Sequence, residues 1–290
     1  MSILALSLHG GRPEAVAVGV SVCRWAADAG HGVVSSEAEG EILVAAGAPS
    51  VGLDGPGVAI DLVVSIGGDG TMLRATRRAV AADADVLGIN LGQLGYLAEI
   101  EPGAWEPALV GYFAGHHQIT ERLLVASSIT VGAPGSGDAT VAFPPALNEV
   151  VIEKQALGRT VRLGVSIDGE FFTSYVADGL IIASPTGSTA YSLSARGPVV
   201  APTLRALLLT PVSPHSLFDR SLVLEPTSTV DVAVMGDRSA GLAVDGEHLS
   251  LLEPGTTVSV TADHRPARIV SFRARDFHKI LKAKFGLSDR

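Results

Sequence analysis

The segment that most constrains this chain is a six-residue run, Asp61 to Ile66 (DLVVSI), that ends in Gly67-Gly68-Asp69-Gly70. The run is too short for a buried helix and rich in Val and Ile, so it reads as a strand buried on both faces. The residues after it, Thr71 to Ala82, have helical character. Two further runs of the same kind, Ile3 to Leu8 and Val86 to Asn90, flank it in the sequence. Pro13 to Ala29 reads as a helix with Pro near its start and Gly30 as its stop. A short strand is expected at Val33–Val34, and residues 45–57 have the composition of a loop. A β-α-β-α-β rhythm needs crossover connections, which implies a parallel sheet covered by helices on both faces.

The texture changes near residue 118. From there to about 270 the runs are short, rich in Val, Ile and Thr, and broken by Gly, Pro and Asp, as in VRLGVSIDGEFFTSYVADGLIIAS. Such spacing predicts an all-β, sandwich-like domain. Asp276 to Phe285 reads as a basic helix, and Gly132 to Asp138 as an exposed turn. The expected organisation is an α/β domain over residues 1–117, joined again by the tail 272–290, and a β-rich domain over 118–271. A chain of 290 residues suits two domains.

Composition narrows the function. A formal charge of −9 disfavours nucleic-acid binding. The single cysteine, Cys23, can build neither an intrachain disulfide nor a cysteine zinc site, and reads as a buried thiol. No run approaches the ~18 apolar residues of a membrane span, and the opening MSILALSLHGG lacks a basic leader, so a cytoplasmic protein is expected. The histidines form no HExxH, and His116-His117 reads as a loop. Neither a GxSxG elbow nor a GxxxxGK[ST] loop occurs.

Glycines at Gly67, Gly68 and Gly70 let the backbone approach an anion closely, and the helix starting near Thr71 aims its N–H groups and positive dipole end at the same place. Asp69 is the only carboxylate in this loop. Among phosphate-binding amides it needs a task, and accepting a proton from a substrate hydroxyl is the evident one. Arg74, one turn on, is within reach of a phosphate. The plain alternative is a tight strand-to-helix turn with Asp69 as the helix cap.

Two later motifs add polar groups. Asn148-Glu149 opens an apolar run and suits hydrogen bonds to a ribose or base, although a solvated strand terminus would look the same. Asp178 begins DGLIIASPTGSTAYSLS, a strand running into a turn with seven hydroxyl side chains between Ser184 and Ser194. Hydroxyls, amides and one aromatic ring suit a nucleoside, while a hydroxyl-rich turn capping a short helix at Ser188 or Thr189 is the alternative. GINLGQLG, residues 88–95, ends a strand and either lines the same crevice or is a plain glycine-rich turn.

In this order GGDGT, LGINLGQLGYLAEI, NEVVIE, DGLIIASPTGSTAYSLSARGPVV, TPVSPHSLFDRSLVL and VDGE resemble the NAD kinase family over most of residues 60–250. The resemblance implies transfer of a phosphoryl group from ATP or polyphosphate, with Mg²⁺, to the 2′-hydroxyl of the adenosine ribose of NAD. It implies that Asp69 activates that hydroxyl and that phosphates lie over Gly67, Gly68, Gly70 and Thr71. It also implies that Gly70, Arg74, Asn148, Glu149, Arg159, Asp178, Thr189, Ala190, Tyr191, Ser194, Asp245 and Glu247 meet NAD. A homo-oligomer, dimer or tetramer, is expected by the same analogy. Three positions depart from the family pattern. Val176 stands where Arg is common, Arg196 where Gly is common, and Ser221 where Pro is usual. The rival readings are a lipid kinase of the diacylglycerol or sphingosine class, a sugar-phosphate kinase, and a non-catalytic NAD(P) sensor.

Overall fold

The computed structural model describes residues 1–55, 57–92, 95–131, 139–156, 158–273 and 276–287. The turn expected at Gly132 to Asp138, and Gln93 and Leu94 of GINLGQLG, lie outside the described residues. The chain divides into two compact units, Met1–Glu121 with Ala267–Arg290, and Arg122–Pro266.

The first unit is α/β. Its elements in order are β1 (Ile3–Leu8), α1 (Pro13–Asp28), β2 (Gly32–Ser35), α2 (Glu37–Ala45), β3 (Gly52–Leu53), β4 (Leu62–Gly67), α3 (Asp69–Ala81), β5 (Asp85–Asn90), α4 (Trp105–Phe113) and β6 (Gln118–Arg122). The three apolar runs become β1, β4 and β5, which pair in parallel at the centre of the sheet. Their side chains are buried almost throughout because helices cover both faces. Gly30 ends α1 at a φ of 75°, as a C-terminal glycine should. Cys23 is buried in this core.

Two helices differ from the sequence reading, and a third, α4, was not expected in it. α2 occupies the front of the stretch that precedes the expected loop. It starts at Ser36, whose hydroxyl accepts the Glu39 N–H at 3.4 Å and donates to the Glu39 carboxylate at 2.8 Å. This is a Ser-x-x-Glu capping box. α3 begins at Asp69 rather than Thr71, so the Asp-Gly pair is the first turn of the helix and not part of the loop.

Among the described residues the second unit is all β apart from a 3₁₀ turn at Gly187–Thr189 and one short helix. Its elements are β7 (Val125–Val131), β8 (Ala139–Ala142), β9 (Glu149–Lys154), β10 (Val161–Ile167), β11 (Glu170–Ala177), β12 (Gly179–Ala183), α5 (Tyr191–Ser194), β13 (Leu207–Val212), β14 (Leu222–Leu224), β15 (Val230–Met235), β16 (Ala240–Val244), β17 (Glu247–Leu252) and β18 (Thr257–Ala262). The strands form two antiparallel sheets, in the orders β11-β10-β15-β18-β7-β8 and β14-β13-β12-β9-β16-β17. Leu163, Val165 and Val232 of one sheet share a core with Ile152, Leu180 and Leu242 of the other. Alternation along β15, buried at every second residue, is the signature of a sheet with one face in that core.

The chain then returns to the first unit. β19 (Ala267–Ser271) enters its sheet, parallel to β5, and the final order is β3-β2-β1-β4-β5-β19-β6. α6 (Phe277–Phe285) closes the chain, capped by Asp276, which accepts the Lys279 N–H at 3.2 Å.

Leu163 is 0% exposed between the two sheets, so Leu163→Ala leaves a cavity there. The expected loss is about 2–5 kcal/mol, read as a lower denaturant midpoint of the β unit in urea unfolding. A midpoint within error of the parent would refute the placement of this side chain in the core.

Candidate functional site

In the first unit the groups expected to handle phosphate gather where β4 and β5 end. β4 runs into Gly67 and α3 follows at once. A Cβ on Gly67 would stand 2.4 Å from Thr71 Oγ1, so only glycine lets the helix turn back this tightly on the strand. Gly68 is the N-cap, extended at φ −103°, and no side chain caps the helix. Asp69 therefore does not serve as the cap. Its carboxylate turns instead toward the segment after β5 and accepts the N–H groups of Tyr96 and Leu97 at 3.3 and 3.4 Å. Gly95 is packed so closely here that a Cβ would meet Asp69 Oδ1 at 2.5 Å. The negative charge also sits in the first turn of α3, where the helix dipole favours it.

Arg74 lies on the exposed side of α3, and its guanidinium reaches the Leu8 carbonyl at the end of β1, at 3.4 Å. Sequence reading missed Arg12, which donates to the Leu91 carbonyl at 3.3 Å just beyond β5, while Leu91 N–H bonds Gly67 at 3.0 Å. The signal was present in LHGGRPEA, where a basic residue precedes the proline of α1.

In the second unit, strand register decides which candidates meet. β9 lies between β12 and β16, with Glu149 opposite Ala183 and Val150 opposite Val244. Asn148-Glu149, the turn after Ala183 and the Asp245-Gly246 turn after Val244 thus fall at one end of the sheet. Ser184 N–H bonds the Asn148 carbonyl at 2.8 Å, and Ser184 Oγ donates to the Leu147 carbonyl at 2.6 Å. Gly187 crosses Asn148 so closely that a Cβ would come within 2.1 Å of its carbonyl oxygen.

The turn's hydroxyls prove to be largely structural. Ser184 Oγ also accepts the Gly187 N–H at 3.1 Å, Ser188 exchanges hydrogen bonds with Val200, and Thr189 Oγ1 donates to the Thr186 carbonyl at 3.3 Å. Ser192 is 3.2 Å from Thr210, which donates to Ser221 at 3.0 Å, so the serine found where the family usually has proline extends a buried hydroxyl chain. Neither Ser188 nor Thr189 caps α5, whose N-cap is Ala190 with no side-chain bond. Ser194 and Tyr191 remain exposed for a ligand.

The other candidates lie apart. Asp178 precedes β12, at the opposite end of β9, where Lys154 holds it at 2.6 Å; that lysine had no sequence motif to mark it. Arg159 stands on the exposed β9–β10 loop at the same end. Burial, and then the charges of Glu153, Asp178 and Glu149, push the Tyr191 phenol up. Glu247 opens β17 opposite Val244 and is exposed. Arg196 adopts a left-handed φ of 65°, the conformation glycine favours, and is exposed beside the same turn.

Glu149 is the most perturbed group of this cluster. It is 6% exposed, and burial together with the nearby Asp245 charge pushes its carboxyl up to about 8, against a smaller opposing pull from the Tyr191 N–H. A folded-state value above the ordinary 4.5 means that the folded chain holds the proton more tightly than the unfolded one. The stabilisation from neutral Glu149 is complete below about pH 4.5 and is lost as pH rises toward about 8. Thermal melts across this window should show a falling Tm that flattens in Glu149→Gln. An identical slope in that variant would show that Glu149 is not the group responsible.

Comparison with known proteins identifies the family. Residues 4–117 match the ATP-NAD kinase N-terminal domain and residues 147–272 the ATP-NAD kinase C-terminal domain. An NAD kinase of Moorella thermoacetica is 41% identical over 228 residues, 78% of this chain and 71% of that protein. One from Desulforamulus reducens is 33% identical over 288 residues, 98% of this chain and 97% of its own. In fold, the chain superposes on yeast NADH kinase complexed with NADH with a TM-score of 0.87 at 24% identity, covering 100% of this chain and 89% of that one. An Archaeoglobus fulgidus NAD kinase in complex with ATP gives 0.68 at 22% identity, covering 98% and 97%. The chain belongs to the NAD kinase family.

Proposed function

We propose that the chain phosphorylates the 2′-hydroxyl of the adenosine ribose of NAD, using ATP or polyphosphate as donor and Asp69 as the base. The observation that carries this is the position of Asp69. It stands at the start of α3, beside a Gly67-Gly68 turn that leaves room for phosphate, and its carboxylate is oriented by two main-chain amides instead of being spent as a helix cap. In the transfer the ribose O–H bond breaks and its proton passes to Asp69. The oxygen bonds the terminal phosphorus, and the bond from that phosphorus to the rest of the donor breaks. Phosphoryl transfer asks little covalent help, so positioning of the two substrates supplies much of the rate.

Gly67, Gly68, Gly70 and Thr71 provide the phosphate cradle, with Arg74 and Arg12 at its rim. Asn148, Glu149, Tyr191 and Ser194 receive NAD, together with Thr189, Ala190, Asp178, Arg159 and Glu247. A divalent ion, Mg²⁺, would neutralise the donor phosphates. Among the described residues no three His, Cys, Asp or Glu side chains cluster as a metal cage, so the ion would be carried by phosphate oxygens and water, as suits Mg²⁺. No helix among the described residues is long and apolar enough to cross a membrane. A cytoplasmic homo-oligomer, dimer or tetramer, completes the proposal. Phe171, Phe172 and Phe218, 66, 41 and 41% exposed on the β unit, support association of copies.

The test supplies NAD, ATP and Mg²⁺ and reads NADP with an NADP-specific dehydrogenase, with polyphosphate and NADH in parallel. Asp69→Asn should bind NAD nearly as the parent does and turn over roughly 10²-fold more slowly or worse, the range for loss of a general base. Near-parental turnover would remove Asp69 as the base. Absence of NADP with every donor, from folded protein, would refute the reaction.

A further inference from the structure

Asp245 and Gly246 are the two central residues of the β16–β17 hairpin, with φ of 49° and 80°. Two positive values in a two-residue loop define a type I′ turn, for which Asp-Gly is a favoured pair. Turn chemistry accounts for the backbone here but not for the side chain. The Asp245 carboxylate reaches back across the sheet end and accepts three consecutive main-chain N–H groups. Leu147 donates to Oδ2 at 2.9 Å, and Asn148 and Glu149 donate to Oδ1 at 2.8 and 3.2 Å. In return, Asp245 N–H donates to the Glu149 carbonyl at 3.0 Å. Resemblance placed Asp245 among the residues that touch NAD, yet both its oxygens are engaged by the backbone of the Asn148-Glu149 segment.

That segment ends in an unusual side chain. Glu149 is 6% exposed, and its Oε2 is buried with no hydrogen-bond partner among the described residues. A buried polar atom left without a partner is costly, and a ligand atom is the natural one to satisfy it.

We propose that Asp245 is a positioning residue for NAD. Its carboxylate fixes the Leu147–Glu149 backbone and so presents the buried Glu149 carboxyl as a hydrogen-bond donor to the dinucleotide. The inference rests on the reading that Asn148-Glu149 receives NAD. Only an acceptor at both oxygens can serve three amides at once, which explains a carboxylate where an amide of the same shape would meet an N–H with an N–H. The groups around Glu149 agree with a donor role. Asp245 faces it from the β16–β17 turn and disfavours a second negative charge. Among the described residues α5 contributes the Tyr191 N–H, and the Tyr191 phenol in turn feels the charges of Glu153, Asp178 and Lys154. With Glu149 pushed up to about 8, the carboxyl keeps its proton at neutral pH.

The experiment measures kcat and KM for NAD and for ATP between pH 6 and 9 in the full-length enzyme. Asp245→Asn should raise KM for NAD about tenfold, the scale of one hydrogen bond, with kcat and KM for ATP within about twofold of the parent. The parent should lose NAD affinity at alkaline pH as Glu149 ionises, and in Asp245→Asn this loss should move to lower pH, because a charge that opposes ionisation is gone. Glu149→Gln, which donates at every pH, should remove the alkaline loss altogether, and it carries the test should Asp245→Asn not fold. Unchanged KM for NAD in folded Asp245→Asn, or an alkaline loss that persists in Glu149→Gln, would overturn the proposal. Asn148→Ala and Glu149→Ala separate the two levels. If neither raises KM for NAD, the assignment of the site itself falls. If they do and Asp245→Asn does not, only the positioning role falls.

Discussion

The polar end of the β unit depends on the pairing of β9 with two neighbours at once. β9 lies between β12 and β16 in antiparallel register, and that register brings residues about 35 and 95 positions apart to a single sheet end. A shift of one residue would turn Glu149 to the opposite face of the sheet and break the Ser184 and Asp245 bonds to the 147–149 backbone. β9, β12 and β16 are buried on both faces, with Ile152, Leu180 and Leu242 in the shared core and Val151, Ile181 and Ala243 in a second apolar cluster, and this burial holds the register. The polar end is therefore placed by the hydrophobic middle. Ser184, Ser188, Thr189 and the Asp245 carboxylate then set the fine geometry by bonding backbone groups that the sheet itself leaves unpaired.

The α/β unit solves its problem differently. There the glycines provide closeness. Gly67 lets α3 fold back on β4, and Gly95 lets the segment after β5 lie against Asp69. The result is a carboxylate held by two N–H groups on a frame of three parallel strands buried almost throughout.

Much of this was legible in the sequence, for physical reasons that differ between the parts. β1, β4 and β5 are continuous apolar runs, and burial on both faces makes such runs conspicuous. The Gly-Gly-Asp-Gly turn announces itself because few backbones need three glycines in four positions. α2 was hidden because its body is short and holds Gly40, although the Ser36-Glu39 capping box marked its start. The β-unit site was harder to read. Asn148, Ser184 and Asp245 carry no local sign of meeting, since their contacts follow from strand register. The hydroxyls of the 184–194 turn pointed toward a nucleoside by composition, but most are used to tie the turn to its own neighbours. The Asp-Gly of the β16–β17 turn had a local meaning that resemblance alone obscured.

The insertion of β19 between β5 and β6 has a consequence for how the chain is made. Residues 1–121 emerge from the ribosome first, but their sheet lacks its sixth strand in order until Ala267–Ser271 has been synthesised. The β unit, continuous from 122 to 266, can close on its own in the meantime. α6 arrives last. It buries none of its residues, yet Lys284 lies 4.4 Å from the Tyr96 ring, the residue whose N–H holds Asp69. The chain thus makes Asp69 early, whereas the contact on the tyrosine that holds it is made only after the whole β unit has been synthesised.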